Sequence, residues 1–309
     1  MKLLIELPSW MGDTVMATPA IENLIHYYKH PKITLIGSFI STELIKNHQN
    51  VDQTLVLNKK SINLYKTLKE LGEFDVFISF RGSLRAKLMK LYVSAKSKYQ
   101  FDKKKYIKGH LVERYNNFVN DSLDINALPG KLILKTKKKN KDRKNKKLLG
   151  INPGASYGNA KRWYPKEFAH VASNLSSQYD IIIFGGPDEI DIATDIEQYL
   201  IQKRVSNYQN LAAKTTISEL ISQIANLDLF ITGDSGPMHL AAALQVPTVA
   251  IFGPTNEKET SQWMNEKSMI VKRDLECQPC LKRVCPLKHH NCMKLIVASD
   301  VLSEVKRLN

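Results

Sequence analysis

The chain has 309 residues, 43% of them hydrophobic and 24% charged. That balance excludes a disordered chain, and the length suits two domains of roughly 100–200 residues. No stretch approaches the ~20 apolar residues of a membrane-spanning helix. Lys and Arg number 45 against 30 Asp and Glu, a net charge of +15, which favours polyanionic partners: nucleic acid, phosphorylated glycolipid or an anionic bilayer face.

In chain order, the first half opens with an apolar strand, Leu3–Leu7, a turn at Pro8–Gly12 and a helical pattern over Thr14–Tyr28. A buried strand, Ile33–Ile36, completes a strand–helix–strand unit. Helix Ser41–Asn47, strand Thr54–Leu57, helix Ile62–Leu71 and strand Asp75–Ser79 repeat the theme, and helix is expected from there to about Asn120. The run Lys135–Lys147 carries nine basic residues and one acid, and without it the rest of the chain holds +7. Such a run buries nothing and reads as an exposed connection. A solvated loop inside one domain is the other reading.

The second half restarts with strand Leu148–Ile151, helix Lys166–Gln178 and strand Asp180–Phe184. Helix Ile217–Ala225, strand Leu229–Ile231, helix Pro237–Leu244 and strand Thr248–Phe252 follow, and the tail Asp300–Leu308 reads as a helix capped by Ser299. The predicted fold class is α/β with two Rossmann-like domains: residues 1–134, a basic linker at 135–147, and residues 148–309. The last helix packs either on its own domain or back on the first. Four strands end at Gly154, Gly185, Gly233 and Gly253. Ligands of parallel sheets bind beyond the carboxyl ends of strands, so these loops should share one site.

Three segments carry chemistry. Gly233-Asp234-Ser235-Gly236-Pro237-Met238-His239 joins a buried strand to a helix. Free N–H groups and the positive dipole end at Ser235 and Gly236 favour a phosphate, and Pro237 suits the first helical turn. Asp234 as an ordinary N-cap is equally compatible with these residues, as is His239 as a packed core histidine. Pro153-Gly154-Ala155-Ser156-Tyr157-Gly158-Asn159-Ala160-Lys161-Arg162-Trp163 offers N–H groups and, in Lys161, a charge for a phosphate oxygen; a plain surface loop is the alternative. In Ser9-Trp10-Met11-Gly12-Asp13-Thr14, Asp13 reads either as an N-cap or as a general base.

In order and at these places, the segments resemble the ADP-heptose:lipopolysaccharide heptosyltransferases, glycosyltransferase family 9. The resemblance covers most of the chain. Residues 153–163 and Cys277–Cys292 look nearer to members that add the second heptose than to those that add the first. The resemblance implies a GT-B fold with parallel sheets facing a central cleft, the acceptor on the first domain and ADP-heptose on the second. It implies inverting transfer to a heptosyl-Kdo-lipid A core with no catalytic metal or other cofactor. Asp13 matches the family's proposed base, Lys161 its donor-binding lysine, and Asp234, Ser235, Gly236 and His239 its donor motif. Ser156 and Asn159 lie in the same loop as Lys161.

Weaker candidates complete the site. Glu189 or Asp191 follows a strand where an acid often takes ribose hydroxyls. Thr215 and Thr216 loosely match the loop that family members place around adenine. Arg81, Ser83 and Arg85 follow strand Asp75–Ser79 and suit a phosphorylated acceptor; a solvated basic helix start fits them equally. Cys277-x2-Cys280-x4-Cys285-x6-Cys292 is compatible with a structural zinc or with free thiols, and a reducing cytosol disfavours disulfides. No signal peptide is readable at Met1–Leu7, so a cytoplasmic protein peripherally bound to the anionic inner membrane is expected. The rival readings are a relative that adds the first heptose or uses another nucleotide sugar, a sugar-nucleotide-binding module without turnover, and a basic nucleic-acid-binding protein. The last lacks any recognisable nucleic-acid motif, so no specific nucleic acid is expected.

Overall fold

The computed structural model describes residues 1–57, 64–136 and 146–308. It divides into two compact units, Met1–Lys135 and Thr136–Asn309. Most of the basic run, residues 137–145, lies outside the described residues.

The first unit runs β1 (Lys2–Glu6), α1 (Met11–Met16), α2 (Thr18–Tyr27), β2 (Lys32–Gly37), α3 (Phe39–Ile45), β3 (Val51–Val56), α4 (Leu64–Glu70), β4 (Glu73–Ser79), α5 (Leu84–Tyr92), β5 (Ser94–Gln100) and α6 (Leu111–Leu123). Its parallel sheet has the order β3-β2-β1-β4-β5. The sequence Leu-Leu-Ile-Glu in β1 is buried throughout, as expected for a central strand covered on both faces. The single helix read over Thr14–Tyr28 is two, broken at Ala17 just before Pro19 enters the first turn of α2. β5 interrupts a stretch in which the sequence predicts that helix dominates. Its sequence, Ser-Ala-Lys-Ser-Lys-Tyr-Gln, has no apolar alternation because it is an edge strand, half-exposed along its length.

The second unit runs β6 (Lys147–Asn152), α7 (Pro165–Leu175), β7 (Tyr179–Ile183), α8 (Ile190–Gln202), β8 (Tyr208–Asn210), α9 (Ile217–Ala225), β9 (Leu229–Gly233), α10 (Gly236–Ala243), β10 (Thr248–Ile251), α11 (Glu257–Thr260), β11 (Ser268–Val271), α12 (Asn291–Lys294) and α13 (Ala298–Leu308). Its parallel sheet has the order β11-β10-β9-β6-β7-β8. The outer strands β8 and β11 were not legible in the sequence, being three and four residues long. α13 packs on α7, β10 and β11. Ser299 is inside this helix rather than its cap. The side chain at the helix start is Asp300, which accepts from the Val297 N–H at 2.8 Å.

Trp163 anchors the second unit's core. It is buried, meets Phe168 edge to face at 4.8 Å between ring centres, and donates from Nε1 to the Ile296 carbonyl at 2.9 Å. Replacing Trp163 with Ala removes that volume and strands the carbonyl. The loss should be about 3–5 kcal/mol, read as a lower urea midpoint for unfolding of this unit.

Candidate functional site

In the second unit, the Gly154, Gly185, Gly233 and Gly253 turns follow β6, β7, β9 and β10 at one carboxyl edge of a single sheet. Asp234 is buried there. Its Oδ2 accepts from Lys161 Nζ at 2.5 Å and from Thr255 Oγ1 at 2.6 Å. Asp234 is therefore not the N-cap of α10. Ser235 holds that position, without a side-chain cap bond. Its hydroxyl lies 3.1 Å from Thr232 Oγ1 and accepts from Asn152 Nδ2 at 3.2 Å. With the hydroxyl turned aside and Pro237 carrying no N–H, the first turn of α10 presents backbone donors beside an ammonium group, as an anion-binding helix start requires. His239 is buried within α10.

The loop carrying Lys161 is held from outside. Lys161 Nζ stands 4.9 Å from the ring centre of Tyr157, and the Arg283 guanidinium stands 5.4 Å from the same ring. Gly158 has φ +156°, and a Cβ there would meet the Arg283 carbonyl at 2.4 Å, so only glycine fits. Ser156 and Asn159 are exposed in this loop.

The cysteine segment supplies the brace. Tyr157 donates to the Leu281 carbonyl at 2.7 Å, Ala160 N–H to the Arg283 carbonyl at 3.0 Å, Leu281 N–H to the Pro254 carbonyl at 2.9 Å, and Gln278 Nε2 to the Gly253 carbonyl at 2.5 Å. His290 Nε2 lies 2.9 Å from the Ala160 carbonyl. Cys277, Cys280, Cys285 and Cys292 line one small cavity with His289 and His290, and all four are free thiols. Among the described residues, no three His, Cys, Asp or Glu side chains are grouped as metal ligands. Burial pushes the Cys292 thiol up to about 11, so it is neutral at physiological pH. What the segment visibly does is tie the Gly253 turn to the Lys161 loop.

Glu189 is buried and turned inward. Its Oε2 accepts from the Gly186 N–H at 2.7 Å, and its carboxylate fills the space where a Cβ on Gly154 would stand. Asp191 is exposed in the first turn of α8. Thr216 is the N-cap of α9, in a capping box with Glu219 that engages both its N–H and its hydroxyl. Thr215 is half-buried beside it. An open groove along β8, lined by Glu197, Arg204, Tyr208 and Lys214, contains none of the residues expected at the phosphates.

In the first unit, Asp13 sits in the first turn of α1 and is partly exposed. The N-cap is Trp10, with extended backbone (φ −97°, ψ 146°), so the capping reading of Asp13 does not hold. Hydroxyl groups that the sequence reading missed fix its turn. Ser41 Oγ donates to the Pro8 carbonyl at 2.5 Å, Ser38 Oγ to the Ser9 carbonyl at 3.2 Å, and Thr14 Oγ1 to the Trp10 carbonyl at 3.0 Å. Tyr115 is buried close enough to feel the Asp13 charge, although burial is the larger reason its phenol is held well above the usual range.

A buried carboxylate in the first unit was also missed. Glu6 ends β1, fully buried, opposite Ser79 of β4. Ser79 Oγ donates to Glu6 Oε2 at 2.5 Å, and Arg81 donates to Oε1 at 3.2 Å. The Arg81 N–H is bound to Ser79 Oγ and its carbonyl to Gln100. Arg81 is thus held from several sides with its guanidinium still part-exposed. Ser83 is the N-cap of α5, accepting from Ala86 N–H, and Arg85 lies close enough to act on the Glu6 charge. The signal in the sequence was an acid ending an otherwise apolar central strand.

Burial raises the Glu6 pKa above 4.5, against the lowering pull of Ser79, Arg81 and Arg85. A carboxyl that binds its proton more tightly when folded stabilises the fold below its unfolded pKa and loses that contribution as pH rises through its folded pKa. The stability of Glu6→Gln relative to wild type should therefore rise with pH from about 4.5 upward and then level off. Urea titrations of both proteins at several pH values check this.

Residues 62–291 match the model of glycosyltransferase family 9 (heptosyltransferase). The chain is 44% identical to a lipooligosaccharide heptosyltransferase 2 of Campylobacter jejuni serotype O:2, covering 100% of this chain and 98% of that one. Two solved Escherichia coli structures share its fold. One is ADP-heptose lps heptosyltransferase II (TM-score 0.83, 22% identity, 100% and 98% of the two chains). The other is heptosyltransferase WaaC with ADP (TM-score 0.78, 15% identity, 100% of both). With two parallel α/β sheets of the GT-B type and a matched sequence spanning most of its length, this chain belongs to the heptosyltransferases of glycosyltransferase family 9.

Proposed function

We propose that the protein transfers L-glycero-D-manno-heptose from ADP-heptose, with inversion, to a heptosyl-Kdo-lipid A core, as the second heptose of lipopolysaccharide or lipooligosaccharide. The observation that carries this reading is the full-length likeness to a lipooligosaccharide heptosyltransferase 2. The donor half-site gives it chemistry. In such a transfer the sugar becomes oxocarbenium-like while negative charge grows on the departing diphosphate. An ammonium at Lys161 and the backbone donors at Ser235 and Gly236 answer that charge. Asp234 holds Lys161 before the donor arrives and is a natural partner for sugar hydroxyls. Asp13 takes the proton of the attacking acceptor hydroxyl.

The acceptor's phosphates fit Arg81, which Glu6 keeps in place, and Arg85 beside it. A lipid-linked acceptor also calls for work at the cytoplasmic face of the inner membrane. No helix among the described residues is long and apolar enough to cross a membrane, so the contact would be peripheral.

The test is transfer from ADP-heptose to heptosyl-Kdo-lipid A. Wild type should form product, and Asp13→Ala should lose about 100-fold or more in kcat, the usual size of a general-base contribution. Product from both would move the base elsewhere; no product from wild type would sink the substrate assignment. Lys161→Met should weaken ADP binding, measured by calorimetry, by about 10- to 100-fold, since a hydrogen bond to a charged group contributes about 1.5–3 kcal/mol.

A further inference from the structure

Helix α5 has two apolar faces. Ala86 and Met89 are buried against the unit's core. On the opposite side, Leu84, Leu88, Leu91 and Tyr92 are 75%, 43%, 71% and 47% exposed. Their spacing of three and four residues aligns them in one stripe. Helical geometry sets Lys87 along one border of the stripe and Arg85 along the other, with Lys90 beyond Lys87. An isolated exposed leucine needs no explanation, but an aligned row on one helix does.

The surroundings are strongly basic. Residues 81–108 hold ten Lys and Arg and one acid, Asp102. Three of the ten, Arg81, Lys96 and Lys105, are paired with Glu6, Asp75 and Asp121. The segment after β5 lies against the start of α5: a Cβ on Gly82 would stand 3.1 Å from the Phe101 carbonyl and 3.6 Å from Lys103 Cγ. From there Lys103, Lys104 and Lys108 extend exposed, with Ile107 60% exposed among them.

We infer that α5 is a membrane-docking helix that lays its leucine stripe into the interface of a bilayer containing anionic lipid. The reading rests on the proposed lipid-linked acceptor, and it names the element that makes the contact. An apolar stripe with cationic borders is the form such helices take, the leucines entering the acyl boundary and the lysines meeting lipid phosphates. A two-fold interface with a second copy fits less well, because it would set the same lysine-rich borders against each other. Nucleic acid has no use for the leucines. α5 starts at Leu84, three residues after Arg81, so docking would bring the bilayer close to the group expected to hold the acceptor's phosphate.

The test is co-sedimentation with vesicles of phosphatidylglycerol mixed with phosphatidylcholine, and with phosphatidylcholine alone. Wild type should bind the anionic vesicles, bind the neutral ones far more weakly, and be released by salt. The variant Leu84→Ser/Leu88→Ser/Leu91→Ser should bind anionic vesicles at least about tenfold more weakly. Lys87→Glu/Lys90→Glu, which keeps the stripe and good helix formers, should lose binding to anionic vesicles as well. Both variants should keep wild-type turnover on a deacylated, water-soluble heptosyl-Kdo acceptor, because the stripe touches no substrate. Equal vesicle binding by the leucine variant, or none by wild type, overturns the inference. So does a dimer that the leucine variant abolishes while vesicle binding persists. Absent turnover of the soluble acceptor by wild type refutes the proposed activity and leaves the vesicle result to stand on its own.

Discussion

A lysine from one loop and an aspartate from another share a proton donor–acceptor contact almost out of reach of water. The Lys161–Asp234 pair has side-chain exposures of only 12% and 4%. Two charges so placed are tolerable only together, since either alone would face a large desolvation cost. Thr255 adds a third loop to the same carboxylate. The pair therefore fixes the mutual positions of the turns after β6, β9 and β10, and with them the open start of α10. For the proposed transfer, an incoming diphosphate would find the ammonium and the helix start already in place. That is the form of preorganisation electrostatic catalysis needs.

The first unit solves a similar problem with different means. Asp13 stands on a turn held by hydroxyls donating to the carbonyls of Pro8, Ser9 and Trp10. The ionic device is one strand over, where Glu6, Ser79 and Arg81 join β1 to β4. Asp13 and Arg81 are thereby mounted at the same end of one parallel sheet through separate supports.

Much of this was legible in the sequence, for definite reasons. The central strands β1, β4, β6, β7, β9 and β10 are apolar runs that stop at turns, and buried parallel strands leave that mark. The Lys161 and Asp234 segments stood out because glycine, proline and charge fall at fixed offsets between a strand and a helix. The edge strands β5, β8 and β11 were missed because short or half-exposed strands keep no distinctive pattern. Glu6 and Thr255 were missed because their roles exist only after distant segments meet: Glu6 is 73 residues from Ser79, and Thr255 is 21 from Asp234. The cysteine segment was conspicuous by composition, yet its visible work is done largely by Gln278, Leu281, Arg283 and His290, which no spacing rule highlights.

The contact between Gly154 and Glu189 restricts how this chain can change over generations. The Glu189 carboxyl carbon would lie 1.9 Å from any Cβ at position 154. A side chain at 154 is therefore barred while Glu189 keeps its length and pose, whereas shortening residue 189 first meets no such obstacle. A side chain gained at 154 with the acid still present obliges the Glu189 carboxylate to swing away from the Gly186 N–H that it accepts from, so a change at one turn is felt as a lost tie in the turn after β7.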